Sequence, residues 1–212
     1  MIETKQVMDL IPNELIQKCL QDHRSKKTNY PDMNINFPEQ DIIEAITNYA
    51  SEVLGRKVEH RSGNYYTHTL PYLPHTDWFS HLDNNINVLI PLEYDCKPEA
   101  EPYLVIFDQI WPHNGVTWCM HSPVLDIPVN TGVKGYPGEY PILNKTGRAI
   151  HPDFWWEYLS WMPYHLFRNL SGNAYKFEPG SILVFENKKI HCTSYYEGVK
   201  TGLSLRFKYA DV

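Results

Sequence analysis

The sequence predicts a mainly-β chain in which two N-terminal helices precede a jelly-roll core. Three observations carry this. Two amphipathic segments fill the first 56 residues. From residue 57 onward, short runs rich in Tyr, Thr, Val and Ile alternate with turn residues. Sixteen prolines and 11 glycines in 212 residues supply the many turns that such a β-rich fold needs. The length suits one domain with a full core. Its expected parts are helices over 1–56, packed on a sheet, and a core over 57–212 with an insert or lid at 122–172.

The first helix opens near Pro12, a residue suited to a first helical turn, and places Leu15, Ile16, Cys19 and Leu20 on one face. The second follows Pro38, carries Ile42, Ile43, Ile46, Tyr49, Ala50, Val53 and Leu54, and stops at Gly55. Strands are expected over Lys57–Arg61, Asn64–Leu70, Asn85–Leu92 and Pro102–Phe107, with another over Gly115–Met120. Ser181–Phe185, Ile190–Tyr195 and Val199–Tyr209 follow near the end. The insert lacks strand texture and holds a short helix at Pro152–Trp161, whose tryptophans read first as core. Helices that need a partner, followed by strands, suit two antiparallel sheets with the helices on one side. Among β architectures the jelly roll commonly holds a site between its sheets.

Composition narrows the function. A 42% apolar, 14% aromatic chain is not a disordered one. A formal net charge of −6 disfavours nucleic acid as a partner, since phosphate binding needs clustered Lys and Arg. The basic run Arg24-Ser25-Lys26-Lys27 reads as a solvated loop. Cys19, Cys96, Cys119 and Cys192 fit neither a zinc ribbon nor a CxxC redox pattern. The segment Met1–Gln6 lacks a basic start followed by an apolar run, and no stretch approaches the roughly 18 apolar residues of a membrane span. A reducing, cytoplasmic location without membrane contact is the expectation.

Chemistry concentrates in two places. In the extended triplet His75-Thr76-Asp77, residues two apart point to one side, so an imidazole and a carboxylate can meet at one point. Alone, such a triplet is weak. Far downstream, Pro179-Gly180 launches the apolar strand Ser181–Phe185, and His191 opens the next strand. A closed pair of sheets could bring it to the triplet. Two His and one carboxylate form the ligand set that suits Fe(II) with positions left open. After a turn at Glu197-Gly198, Lys200, Gly202, Ser204 and Arg206 share one strand face. A cation inside a barrel needs an anionic partner.

These pieces together resemble the Fe(II)/2-oxoglutarate-dependent dioxygenase superfamily, nearest to its prolyl-hydroxylase-like and phytanoyl-hydroxylase-like branches, over about residues 60–108 and 174–209. The resemblance implies a double-stranded β-helix, or cupin-like jelly roll, with His75, Asp77 and His191 on Fe(II). It implies 2-oxoglutarate as co-substrate with O2, giving succinate and CO2 as a small molecule, amino acid or peptide is hydroxylated or desaturated. Asp77 speaks against halogenation, because halogenating relatives lack that carboxylate. The basic anchor of these families lies about nine to fifteen residues past the distal His, which admits Lys200 and Arg206. Arg206 is preferred for its bidentate fork, with Ser204 adding a hydroxyl. Lys200, near the turn, reads alternatively as a solvated end residue. Tyr65, ten residues before His75, takes the place of a co-substrate-contacting Tyr, and Tyr72 is a second candidate. Two positions depart from the pattern: Gly202 stands where relatives often hold Arg, and Glu101-Pro102 where many hold a Gly-Gly pair.

The competing class is a cupin-like metal-binding or ligand-binding protein without 2-oxoglutarate chemistry, which has no reason to bury Arg206. His68 and His81 read as pocket-wall residues, Trp78 and Phe79 as lining or core, and Cys192 as packing on the face opposite His191.

Overall fold

The computed structural model describes residues 2–26, 36–72, 74–77, 85–110, 121–122, 127–128, 155–160 and 170–210. Strand β1 (Lys5–Val7) leads into helices α1 (Asn13–Ser25) and α2 (Gln40–Leu54). Then come β2 (Val58–His68), β3 (Ile86–Cys96) and β4 (Tyr103–Ile110), and a two-residue pair, β5 (His121–Ser122) with β6 (Ile127–Pro128). The chain closes with β7 (Gly172–Lys176), β8 (Ile182–Glu186), β9 (Lys189–Thr193) and β10 (Gly198–Tyr209). The long strands form a five-stranded sheet, ordered β1-β8-β3-β10-β2, and a three-stranded one, ordered β7-β4-β9. Every pairing is antiparallel.

Alternation along β3 explains the layers. Ile86, Val88, Ile90 and Leu92 face the helices, where Ile16, Cys19, Leu20, Ile42, Ile46 and Ala50 complete a core with Leu203, Leu205 and Phe207 of β10. Leu89 faces the other way. It joins Tyr66, Leu183 and Phe185 of the large sheet and Leu104 and Ile106 of the small one in a second core between the sheets. A strand covered on both faces reads as a nearly continuous apolar run, as this one does.

Both helices form where expected. Pro12 precedes α1 in extended conformation, and Gly55 ends α2 at φ 63°, a left-handed turn that glycine takes without steric cost. The two short strands expected over Lys57–Arg61 and Asn64–Leu70 are one strand, β2, which absorbs the break as a register shift opposite Arg206 and Phe207. Strands β1 and β7 have no counterpart among the strands expected from the sequence. The first is a three-residue edge piece, and the second begins at Gly172, inside the expected insert. The helix expected at Pro152–Trp161 is represented by a π-helical turn, Trp155–Leu159. There Leu159 is buried and Trp155 half-buried, while Trp156 is exposed, contrary to the core reading for that tryptophan. The Gly115–Met120 strand and Trp161 lie outside the described residues, as do Trp78, Phe79, His81 and Cys119. Cys19, Cys96 and Cys192 are free thiols. No helix among the described residues is long and apolar enough to cross a membrane.

Candidate metal centre and its cavity

The triplet His75-Thr76-Asp77 runs antiparallel to β9. His75 and His191 form a two-way bridge, each N–H donating to the other's carbonyl at 2.9 Å, and the Asp77 N–H donates to Asn187 O at 3.1 Å. Extended geometry then turns His75 and Asp77 to the same side. Their ligand atoms and that of His191 lie within 4.8 Å of one another. His75 Nε2 is 3.8 Å from Asp77 Oδ1, and His191 Nε2 is 3.5 Å from Asp77 Oδ2. Ligands about 2.1 Å from a shared ion at right angles stand about 3 Å apart, so small side-chain movements close this set onto one metal. His191 Nδ1 lies 3.1 Å from Lys189 O. Donation to that carbonyl from Nδ1 would leave Nε2, the nitrogen on the Asp77 side, to a metal when one is bound.

Asp77 is buried. Burial by itself would raise its carboxyl, but the Arg206 guanidinium, then the hydrogen bond and charge of His191, hold it well below the usual carboxylate range. Arg206 Nη2 donates to Oδ1 at 3.0 Å, and Asn87 Nδ2 donates to Oδ2 at 2.8 Å.

The triad opens on a cavity of about 170 Å³ whose walls include Asn64, Tyr66, His68, Tyr72, Leu104, Phe185, Thr193, Lys200, Ser204 and Arg206. Lys200, expected as a possible solvated end residue, is instead 2% exposed. Its ammonium lies 4.8 Å from the ring centre of Phe177, 5.3 Å from that of Tyr196 and 5.9 Å from that of Tyr66. No carboxylate among the described residues pairs with it, and burial pushes its pKa down to about 7. Across β2, His68 pairs in register with Lys200. Burial and the Lys200 charge lower its pKa to about 4. The His68 ring stacks on Tyr72 at 5.1 Å, and Tyr72 in turn meets His75 edge-on at 4.5 Å.

The parity of β10 holds, with Lys200, Ser204 and Arg206 on the cavity side. The parity of β2 corrects the expectation for Tyr65. That ring lies in the helix-side core, 5.1 Å from His23 of α1, and the tyrosine that β2 gives to the cavity is Tyr66. Counting ten residues back from His75 lands one residue off. The alternation Asn64, Tyr66, His68 marks the polar face and was the usable signal. Gly202 has a local reason: a Cβ there would stand 2.5 Å from the Tyr66 hydroxyl and 3.2 Å from Phe177 Cζ, so the Tyr66 ring takes the space that a side chain at 202 would need. Asn87 was also missed, although a lone Asn inside Ile-Asn-Val-Leu-Ile is itself a signal.

No protein-family model matches the sequence, and no curated protein matches it. Solved structures do. The Pseudomonas putida prolyl-4-hydroxylase aligns over 98% of this chain and 93% of its own at 9% identity and a TM-score of 0.52. The non-heme alpha ketoglutarate dependent carbocyclase SnoK from nogalamycin biosynthesis aligns over 98% and 80% at 10% identity and 0.53. The corresponding figures for the epimerase SnoN, also non-heme and alpha ketoglutarate dependent, are 98%, 78%, 12% and 0.51. This chain shares their fold. At such identities the likeness extends no further than the fold.

Proposed function

We propose that this protein is an Fe(II)- and 2-oxoglutarate-dependent oxygenase built on a double-stranded β-helix, with His75, Asp77 and His191 as the iron ligands. One observation carries the reading: the His-Asp-His cluster and a buried Lys200 that meets no carboxylate among the described residues line a single cavity. A protein that held only a metal would have no use for a desolvated cation there, whereas a dicarboxylate needs both a metal and a distant positive charge. Iron and 2-oxoglutarate, when bound, supply the oxidation: O2 is consumed as 2-oxoglutarate goes to succinate and CO2, and a C–H bond of the substrate is hydroxylated or desaturated.

The chain's own residues do the positioning. His191 is held in one tautomer by Lys189 O. Lys200 takes the distal carboxylate, flanked by the Tyr66 hydroxyl and His68. Phe177 and Tyr196, whose rings lie against the ammonium, keep water from that end, which strengthens the charge pair. Tyr72, partly exposed and edge-on to His75, stands where a substrate would pass. The substrate is proposed to be a small molecule, an amino acid or a peptide segment.

The test is anaerobic loading with Fe(II) and 2-oxoglutarate, followed by exposure to air and assay of succinate. The expected result is a visible charge-transfer band and slow succinate formation without substrate. Asp77→Ala should lose both, and Lys200→Met should lose the 2-oxoglutarate-dependent band. Absence of both band and succinate in the unmodified protein would return it to the metal-binding or ligand-binding class.

A further inference from the structure

Arg206 was expected to anchor the co-substrate, but it is already engaged, and with a metal ligand. Arg206 and Asn87 are register partners on adjacent strands β10 and β3. Each reaches a different oxygen of the same carboxylate: Arg206 Nη2 meets Asp77 Oδ1 at 3.0 Å, and Asn87 Nδ2 meets Oδ2 at 2.8 Å. Asp77 itself sits outside the strands, on an extended segment whose backbone is tied at this residue by the N–H to Asn187 O. A carboxylate on such a segment rotates freely about its last torsion, where the energy wells are broad. Two donors on opposite oxygens, mounted on neighbouring strands of one sheet, remove that freedom. They fix the carboxylate plane so that Oδ1 faces His75 and Oδ2 faces His191.

We infer that Arg206 and Asn87 are the positioning residues of the metal carboxylate, a cross-strand clamp that orients Asp77, and that Arg206 is not the dicarboxylate anchor. This rests on the metal site of the proposed function and deepens it. Two effects of Arg206 oppose each other. Its positive charge beside Asp77 repels a cation, and its hydrogen bond holds the ligand in place. The clamp requires that orientation outweigh repulsion.

Co(II) is the probe, because it reports on its ligand geometry by visible absorption and needs no turnover. The intact protein would be titrated anaerobically, first without and then with 2-oxoglutarate. Arg206→Gln and Asn87→Ala are each expected to weaken Co(II) binding about 10–100-fold, the usual scale for losing a partner of a metal ligand, and to alter the spectrum before any 2-oxoglutarate is added. Arg206→Lys should restore part of the affinity, which loss of mere packing would not allow. Lys200→Met should leave Co(II) affinity as it is and abolish the spectral response to 2-oxoglutarate. Unchanged or tighter Co(II) binding in Arg206→Gln, with the 2-oxoglutarate response lost, would overturn the inference and make Arg206 the anchor. Should Arg206→Gln fail to fold by circular dichroism, Asn87→Ala and Arg206→Lys decide by the same criteria. If the unmodified protein binds Co(II) but never responds to 2-oxoglutarate, the oxygenase reading fails while the clamp is still judged on the metal titration alone.

Discussion

Lys200 carries a cost that only function explains. Its amine is enclosed by three aromatic rings, and its pKa falls from 10.5 to about 7. The unfolded chain therefore holds a proton on this residue up to about pH 10, and the folded one only to about 7. The unfolded state binds more protons across that window, so stability rises with pH from 7 toward 10, and the penalty is largest below 7. Replacing the lysine with an apolar residue of similar length should remove it. Lys200→Met is expected to raise unfolding stability in urea by on the order of 2–4 kcal/mol at pH 7, while 2-oxoglutarate binding is lost. The same titration should mark binding. A dicarboxylate favours the ammonium form, so 2-oxoglutarate affinity should hold below pH 7 and loosen by up to about tenfold per unit above it. Lys200→Arg should flatten that profile. Calorimetric titration between pH 6 and 9 would check both, and a flat profile in the unmodified protein would mean that Lys200 does not meet the ligand.

At the scale of elements, what was legible depended on how much context each segment needed. Helix α2 was plain because Ile42, Ile46 and Ala50 recur at helical spacing and Gly55 stops the run. Strand β3 was plain because both its faces are covered. Even Pro91, an unwelcome residue inside a central strand, fits, since the pairing of β10 with β3 shifts register there. Strand β1 was not legible. Three residues carry no period, and they become a strand only because β8 offers an edge. Nor could sequence alone choose between Tyr65 and Tyr66, because a one-residue change of parity moves a side chain from one face of a sheet to the other. The helix-side core should be separable from the site. Ile46→Ala, at a fully buried position away from the cavity, is expected to cost about 2–5 kcal/mol of stability and to leave metal affinity unchanged. Denaturant unfolding and a metal titration on one preparation would measure both.

Across the whole molecule, the charge balance misleads about the site. The chain is acidic overall, with a formal net charge of −6, yet its cavity is lined by Lys200 and Arg206. The triplet and the distal His were legible as a ligand set because extended geometry dictates where two residues at i and i+2 point. What could not be read was the partnership of Arg206, since it depends on Asn87 lying opposite on another strand. The bridge between His75 and His191 has one more consequence, for solvent exchange. Each of these amides is sealed by the other's carbonyl, so neither can exchange its hydrogen with deuterated water unless the pair parts. Segments this far apart in sequence should then open together and show one protection factor. Loading the metal across the two rings should slow both amides by the same factor, which makes the pair a gauge of how tightly the centre is closed.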